Sequence, residues 1–87
     1  MPRVSACVSV LNQAALLKQT LTSIQNQTFK DWECIVVDDG SVSSMKFIVD
    51  SMKDERFIFH RFEQNKGIPF GANYAYQIAK GDYIQAL

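Results

Sequence analysis

Residues 34–41 read Cys34-Ile35-Val36-Val37-Asp38-Asp39-Gly40-Ser41, an apolar, β-branched run that stops abruptly at two carboxylates, a glycine and a serine. A run of this length, bounded by turn residues, predicts a strand buried on both faces. Asp38 and Asp39 then stand at its carboxyl end, the edge of an open α/β sheet where ligands bind. Adjacent like charges repel, so a donor-rich or cationic ligand nearby would suit them. The plainer alternative is that the pair only turns the chain and caps the next helix.

Outward from this run, four strand-like segments alternate with three helix-like ones. Val4 to Leu11 is the first strand. Asn12 is suited to cap a helix running from about Ala14 to Asn26, on which Leu17, Leu21 and Ile24 form one apolar stripe. Gln27 to Asp31 is a return loop, and Trp32 and Phe29 are expected to fasten it over the core. The second strand runs from Trp32 to Val37. A helix follows from about Ser44 to Lys53, with Met45, Ile48, Val49 and Met52 on one face.

Arg56 to Phe62 is the third strand, with Phe57, Phe59 and Arg61 on one face and Ile58, His60 and Phe62 on the other. His60 on this apolar strand reads as a satisfied structural histidine. Pro69 suits the first position of a third helix whose inner face carries Phe70, Tyr74 and Ile78. Gly81 fits the position that ends it, and Asp82 to Leu87 begins a fourth strand. Such an order predicts parallel strands joined by right-handed crossovers.

Composition narrows the function. Eighty-seven residues allow one small domain, and the apolar share of 47% is that of a globular protein. Zero net charge argues against a nucleic-acid-binding face. No apolar run approaches the roughly 20 residues that span a bilayer, and the first residues do not resemble a signal peptide. Cys7 and Cys34 lie inside apolar runs, which suits buried free thiols in a reducing cytoplasm. No Cys/His cluster has metal-ligand spacing. The turn after the first strand has no glycine, which excludes the dinucleotide fingerprint and the P-loop. A ligand here would be held by side chains and strand-end backbone. A phospho-acceptor signalling domain is disfavoured, because the first strand ends in Val10-Leu11-Asn12 without a further acid.

The run Gln27-Thr28-Phe29-x-x-Trp32-Glu33-x-Ile35-Val36-Val37-Asp38-Asp39-Gly40-Ser41 resembles family 2 glycosyltransferases of the GT-A fold. Val4 to Asn12, Ser23 to Phe29 and Asn65 to Leu87 extend the likeness over nearly the whole chain. The resemblance implies an α/β, three-layer, Rossmann-like sheet of four parallel strands in order 3-2-1-4, a partial GT-A fold. It implies a single truncated nucleotide-sugar-binding domain over residues 1–87.

The family transfers a sugar from a nucleotide diphosphate donor to an acceptor hydroxyl. By resemblance, Asp39 would hydrogen-bond the base, usually uracil, and Asp38 would help shape the same pocket. Ser9, Val10 and Leu11 would line the base from the other side, and Asn73 lies on the ligand-side turn of its helix. Three positions depart from the family: Leu11 where Tyr is usual, Ser9 where Pro is usual, and Ala72 where Arg is usual. Leu11 gives apolar contact without ring stacking, a loss on the order of 1 kcal/mol.

The family's fourth strand runs into an Asp-x-Asp motif that binds a divalent Mn or Mg ion, and the acceptor half follows. The sequence stops at Leu87 before either. The expectation is therefore a UDP-sugar-binding half with no metal site, no catalytic residue and no transfer activity of its own. The alternative is a non-catalytic remnant that mainly self-associates, as a homodimer through the fourth strand, which later strands cover in the family. The expected location is the cytoplasm, with a peripheral place on the inner face of the membrane open to the full-length protein.

Overall fold

A computed structural model describes residues 3–86. The strands are β1 (Val4–Val10), β2 (Trp32–Asp39), β3 (Phe57–Phe62) and β4 (Tyr83–Ala86), and the helices are α1 (Ala14–Asn26), α2 (Lys46–Ser51) and α3 (Ile68–Ile78). The sheet is all-parallel in the order β3-β2-β1-β4, the predicted topology.

Strand periodicity sorts the core into two layers. Ala6, Val8 and Val10 of β1 with Cys34 and Val36 of β2 meet Leu17, Leu21 and Ile24 of α1 and Ile48 and Val49 of α2. Burying such an aliphatic side chain contributes about 2 kcal/mol. Cys7, Ile35, Val37 and Phe62 form the opposite layer with Ala75, Tyr74 and Ile78 of α3. With helices on both faces, all eight residues of β2 are buried, which is why its centre, Cys34 to Val37, is continuously apolar. The two cysteines are free, buried and in opposite layers. Burial pushes the Cys34 thiol up to about 12.

Several local expectations are corrected. Asn12 is not a helix cap: Gln13 holds that position in α1, without a side-chain cap bond, and Asn12 is left-handed at φ 54°. The second helix is shorter than Ser44–Lys53, because Met45 is its N-cap and Lys53, at φ 53°, leaves the helical conformation. The third strand starts at Phe57 rather than Arg56, and Asp82 precedes the fourth; Leu87 lies outside the described residues. Pro69 falls in the first turn of α3, one residue after its start. Phe70 and Phe29 are half exposed rather than core, although Phe70 still meets the edge of Phe62. His60 is satisfied as expected, its Nδ1 lying 3.1 Å from the Tyr74 hydroxyl.

Gly81 does not end α3 through a left-handed conformation. The helix closes at Ala79 in extended geometry, and only Gly40 and Gly67 among the glycines have positive φ. Gly81 is needed for closeness: a Cβ there would lie 2.7 Å from the Ser5 backbone nitrogen. Its N–H donates to Ser5 Oγ (2.8 Å), and Ser5 Oγ donates to Glu33 Oε2 (2.6 Å), which also accepts the Lys80 N–H (2.6 Å). This buried relay fastens the entry of β4 to the amino-terminal end of the sheet.

Candidate nucleotide-binding site

The carboxyl ends of β1 and β2 and the loop after β3 surround an open cavity of about 520 Å³. Ser9, Val10, Leu11 and Gln13 line one side, and Asp39, Asn65 and Gly67 line the other. The connection after β1 leads to one face of the sheet, and the connection after β3 leads to the other. The cavity thus occupies the kind of crevice in which open α/β sheets bind ligands.

Asp38 and Asp39 are adjacent in sequence and opposed in space. Successive side chains of a strand point to opposite faces. Asp38 therefore turns toward the α1–α2 layer and is fully buried. Its Oδ1 accepts the Ser41 N–H (2.9 Å), its Oδ2 accepts the Met45 N–H at the start of α2 (2.8 Å), and Arg61 Nε lies 3.7 Å from Oδ2. Asp39 turns toward the α3 layer, where Oδ1 accepts the Lys66 N–H (2.8 Å) and Oδ2 the Gly67 N–H (3.1 Å). Each carboxylate meets donors near the start of a helix, where negative charge is favoured. The doublet needs no external cation to relieve repulsion, and the turn-and-cap alternative describes Asp38 well.

Four of the expected site residues therefore converge on the cavity: Ser9, Val10, Leu11 and Asp39. Asp38 lines none of it and acts beneath it. Asn73 is exposed and does not line it either. Gln13 and the backbone N–H groups of Lys66 and Gly67 are the participants that sequence reading missed. The glycine in Asn65-Lys66-Gly67 was the available signal, since Gly67 at φ 91° shapes the turn that aims those donors. No group of three or more His, Cys, Asp or Glu side chains gathers as a metal donor set among the described residues. No helix among them is long and apolar enough to cross a membrane.

This fold defines the class, an α/β domain of GT-A type. The profile of "Glycosyl transferase family 2" matches residues 5–87, and the chain belongs to that family. It is 37% identical to GalNAc(5)-diNAcBac-PP-undecaprenol beta-1,3-glucosyltransferase of Campylobacter jejuni, with 100% of this chain aligned to 29% of the relative. It is 34% identical to the Escherichia coli glucosyltransferase WfaP, named for UDP-Glc, over 100% of this chain and 35% of the relative. The chain thus spans about a third of the length of these relatives. Among solved structures, S. aureus TarS superposes with a TM-score of 0.87 at 24% identity, over 98% of this chain and 26% of TarS. The mannosyltransferase PcManGT of Pyrobaculum calidifontis, in complex with GDP-Man and Mn2+, superposes with a TM-score of 0.85 at 24% identity, over 95% of this chain and 26% of PcManGT.

Proposed function

We propose that this chain is the nucleotide-binding half of a glycosyltransferase donor domain, and that its cavity receives the base of a nucleotide-sugar, in the first instance UDP-sugar. The observation that carries the reading is Asp39, a carboxylate beside the cavity with apolar Val10 and half-exposed Leu11 across from it. A carboxylate offers about four lone-pair directions, and Lys66 and Gly67 take two. The others accept a base N–H while the base packs on Leu11. Gln13 supplies a donor and an acceptor at the rim. The named ligands of WfaP and PcManGT, UDP-Glc and GDP-Man, support a nucleotide-sugar and leave the choice of base to the test. A divalent ion would serve the diphosphate of the complete enzyme. The described residues supply no donor set that fits it.

Titration of the ¹⁵N-labelled chain with UDP is expected to shift the amides of residues 9–13, 39 and 65–67, with a dissociation constant of roughly millimolar order, about 4 kcal/mol. Asp39→Asn retains one acceptor and is expected to weaken binding at least tenfold. Shifts scattered over the surface, or the same in the variant, would remove the reading. Stronger binding of GDP than UDP would keep the site and change the base.

A second reading, self-association, is favoured by β4. Among the described residues it is an edge strand, with Tyr83 and Ile84 exposed. Where no further strand lies beside it, antiparallel pairing of two β4 strands would close a two-fold dimer. Light scattering is expected to show mass rising with concentration and falling to the monomer in Ile84→Lys. A monomer at every concentration would exclude this reading.

A further inference from the structure

Two loops that neighbour the cavity are joined by a pair of reciprocal hydrogen bonds. The Asn12 N–H donates to Ser41 Oγ (2.8 Å), and Asn12 Oδ1 accepts the Val42 N–H (2.8 Å). The partners are 29 and 30 residues apart, so local turn formation does not explain the bonds. Asn12 makes both from a left-handed conformation that costs a non-glycine residue energy and that Asn tolerates better than most.

Ser41 is a fixed post. It is 1% exposed; its N–H donates to Asp38 Oδ1 (2.9 Å), and its carbonyl accepts Arg61 Nη2 (2.7 Å). The post is therefore tied to β2 and β3 at once. Asn12 lies between Leu11 and Gln13, which both line the cavity, while neither Asn12 nor Ser41 does. The start of α1 has no side-chain cap bond of its own.

We propose that Asn12 and Ser41 are positioning residues: their reciprocal clasp holds the Leu11–Gln13 wall at a fixed place relative to Asp39, and so sets the affinity of the cavity for a nucleoside base. The affinity part rests on the donor-site reading above; the positioning part does not. Loss of the clasp leaves Asp39 and its bonds to Lys66 and Gly67 untouched. It frees the opposite wall to sample positions that do not contact the base, which taxes binding by the fraction of time spent there.

Three variants of the full chain separate positioning from plain stability. Asn12→Gly permits the left-handed backbone and removes the side-chain amide, and it also adds backbone freedom at position 12, which Ser41→Ala does not. Ser41→Ala removes the hydroxyl, and Ser41→Thr retains it. In Asn12→Gly, exchange of the Val42 amide is expected to accelerate about tenfold or more. The ¹⁵N order parameters of Leu11 and Gln13 should fall in Asn12→Gly and also in Ser41→Ala, where residue 12 is unchanged, while those of Lys66 and Gly67 stay unchanged. UDP affinity should drop about tenfold in Asn12→Gly and in Ser41→Ala, and return in Ser41→Thr. Leu11 and Gln13 amides as ordered in Asn12→Gly as in the unsubstituted chain would overturn the proposal. So would a Thr variant that behaves like Ala while remaining folded. If the unsubstituted chain shows no UDP shifts, the donor reading falls, and the order parameters still decide the clasp.

Discussion

Asp38→Ala is expected to lower the unfolding free energy by about 3 kcal/mol, a large share of the 5–15 kcal/mol typical of a domain. The substitution removes a carboxylate from a site with no solvent access. It strands the Ser41 and Met45 N–H groups, which have no water to turn to, and leaves Arg61 without its facing charge. Each buried orphan donor costs about 1–3 kcal/mol. The start of α2 and the turn carrying Gly40 and Ser41 both lose their anchor. Denaturant unfolding followed by the fluorescence of buried Trp32 should show the midpoint falling, and the melting temperature should drop by roughly 15 °C. Asp38→Asn keeps one acceptor and should lose about half as much. Stability within 0.5 kcal/mol of the unsubstituted chain, the usual range for surface changes, would show that the carboxylate does not anchor the turn.

Gly40→Ala is expected to damage stability and site together. Gly40 has φ 80°, where a Cβ is strained by about 1 kcal/mol or more. A Cβ there would also lie 2.6 Å from the Asn65 backbone nitrogen and 2.7 Å from the Gln64 carbonyl carbon. Both are main-chain atoms, so no rotamer change relieves the contact, and the 63–67 loop must move. Overpacking of this kind costs about 1–3 kcal/mol, for a total of about 3 kcal/mol. The loop that must move carries the Lys66 and Gly67 donors to Asp39. Amide shifts at those two residues should therefore change most, and UDP titration should lose at least a factor of ten in affinity even where the chain remains folded. Gly67→Ala makes a useful contrast. Its φ is also positive, but a Cβ would meet nothing nearer than 3.9 Å, so it should cost only the conformational part. Equal losses in the two variants would mean that conformation, not the close approach of the loop, requires a glycine at position 40.

The order of elements, the parallel topology and the strand end beside the candidate site were all legible before folding was considered. These depend on local signals: β-branched runs in β1 and β2, the Leu17-Leu21-Ile24 stripe of α1, and glycines that interrupt them. The family resemblance, rather than these signals, placed Ser9, Val10 and Leu11 across from Asp39, and they meet at one cavity because they lie at or just beyond the carboxyl ends of neighbouring strands. Tertiary structure alone decided how the aspartates divide. Alternation along β2 requires opposite faces, but only the packing of α2 on one face and α3 on the other supplies each carboxylate with its donors. Those donors are backbone N–H groups, which every residue except proline carries, so no residue type announces them. The same holds for Asn12. Read locally it is a helix cap; folded, it reaches across 30 residues to Val42. A polar side chain near several free backbone groups is committed by whichever loop the sheet brings beside it, and that proximity exists only once the chain has folded.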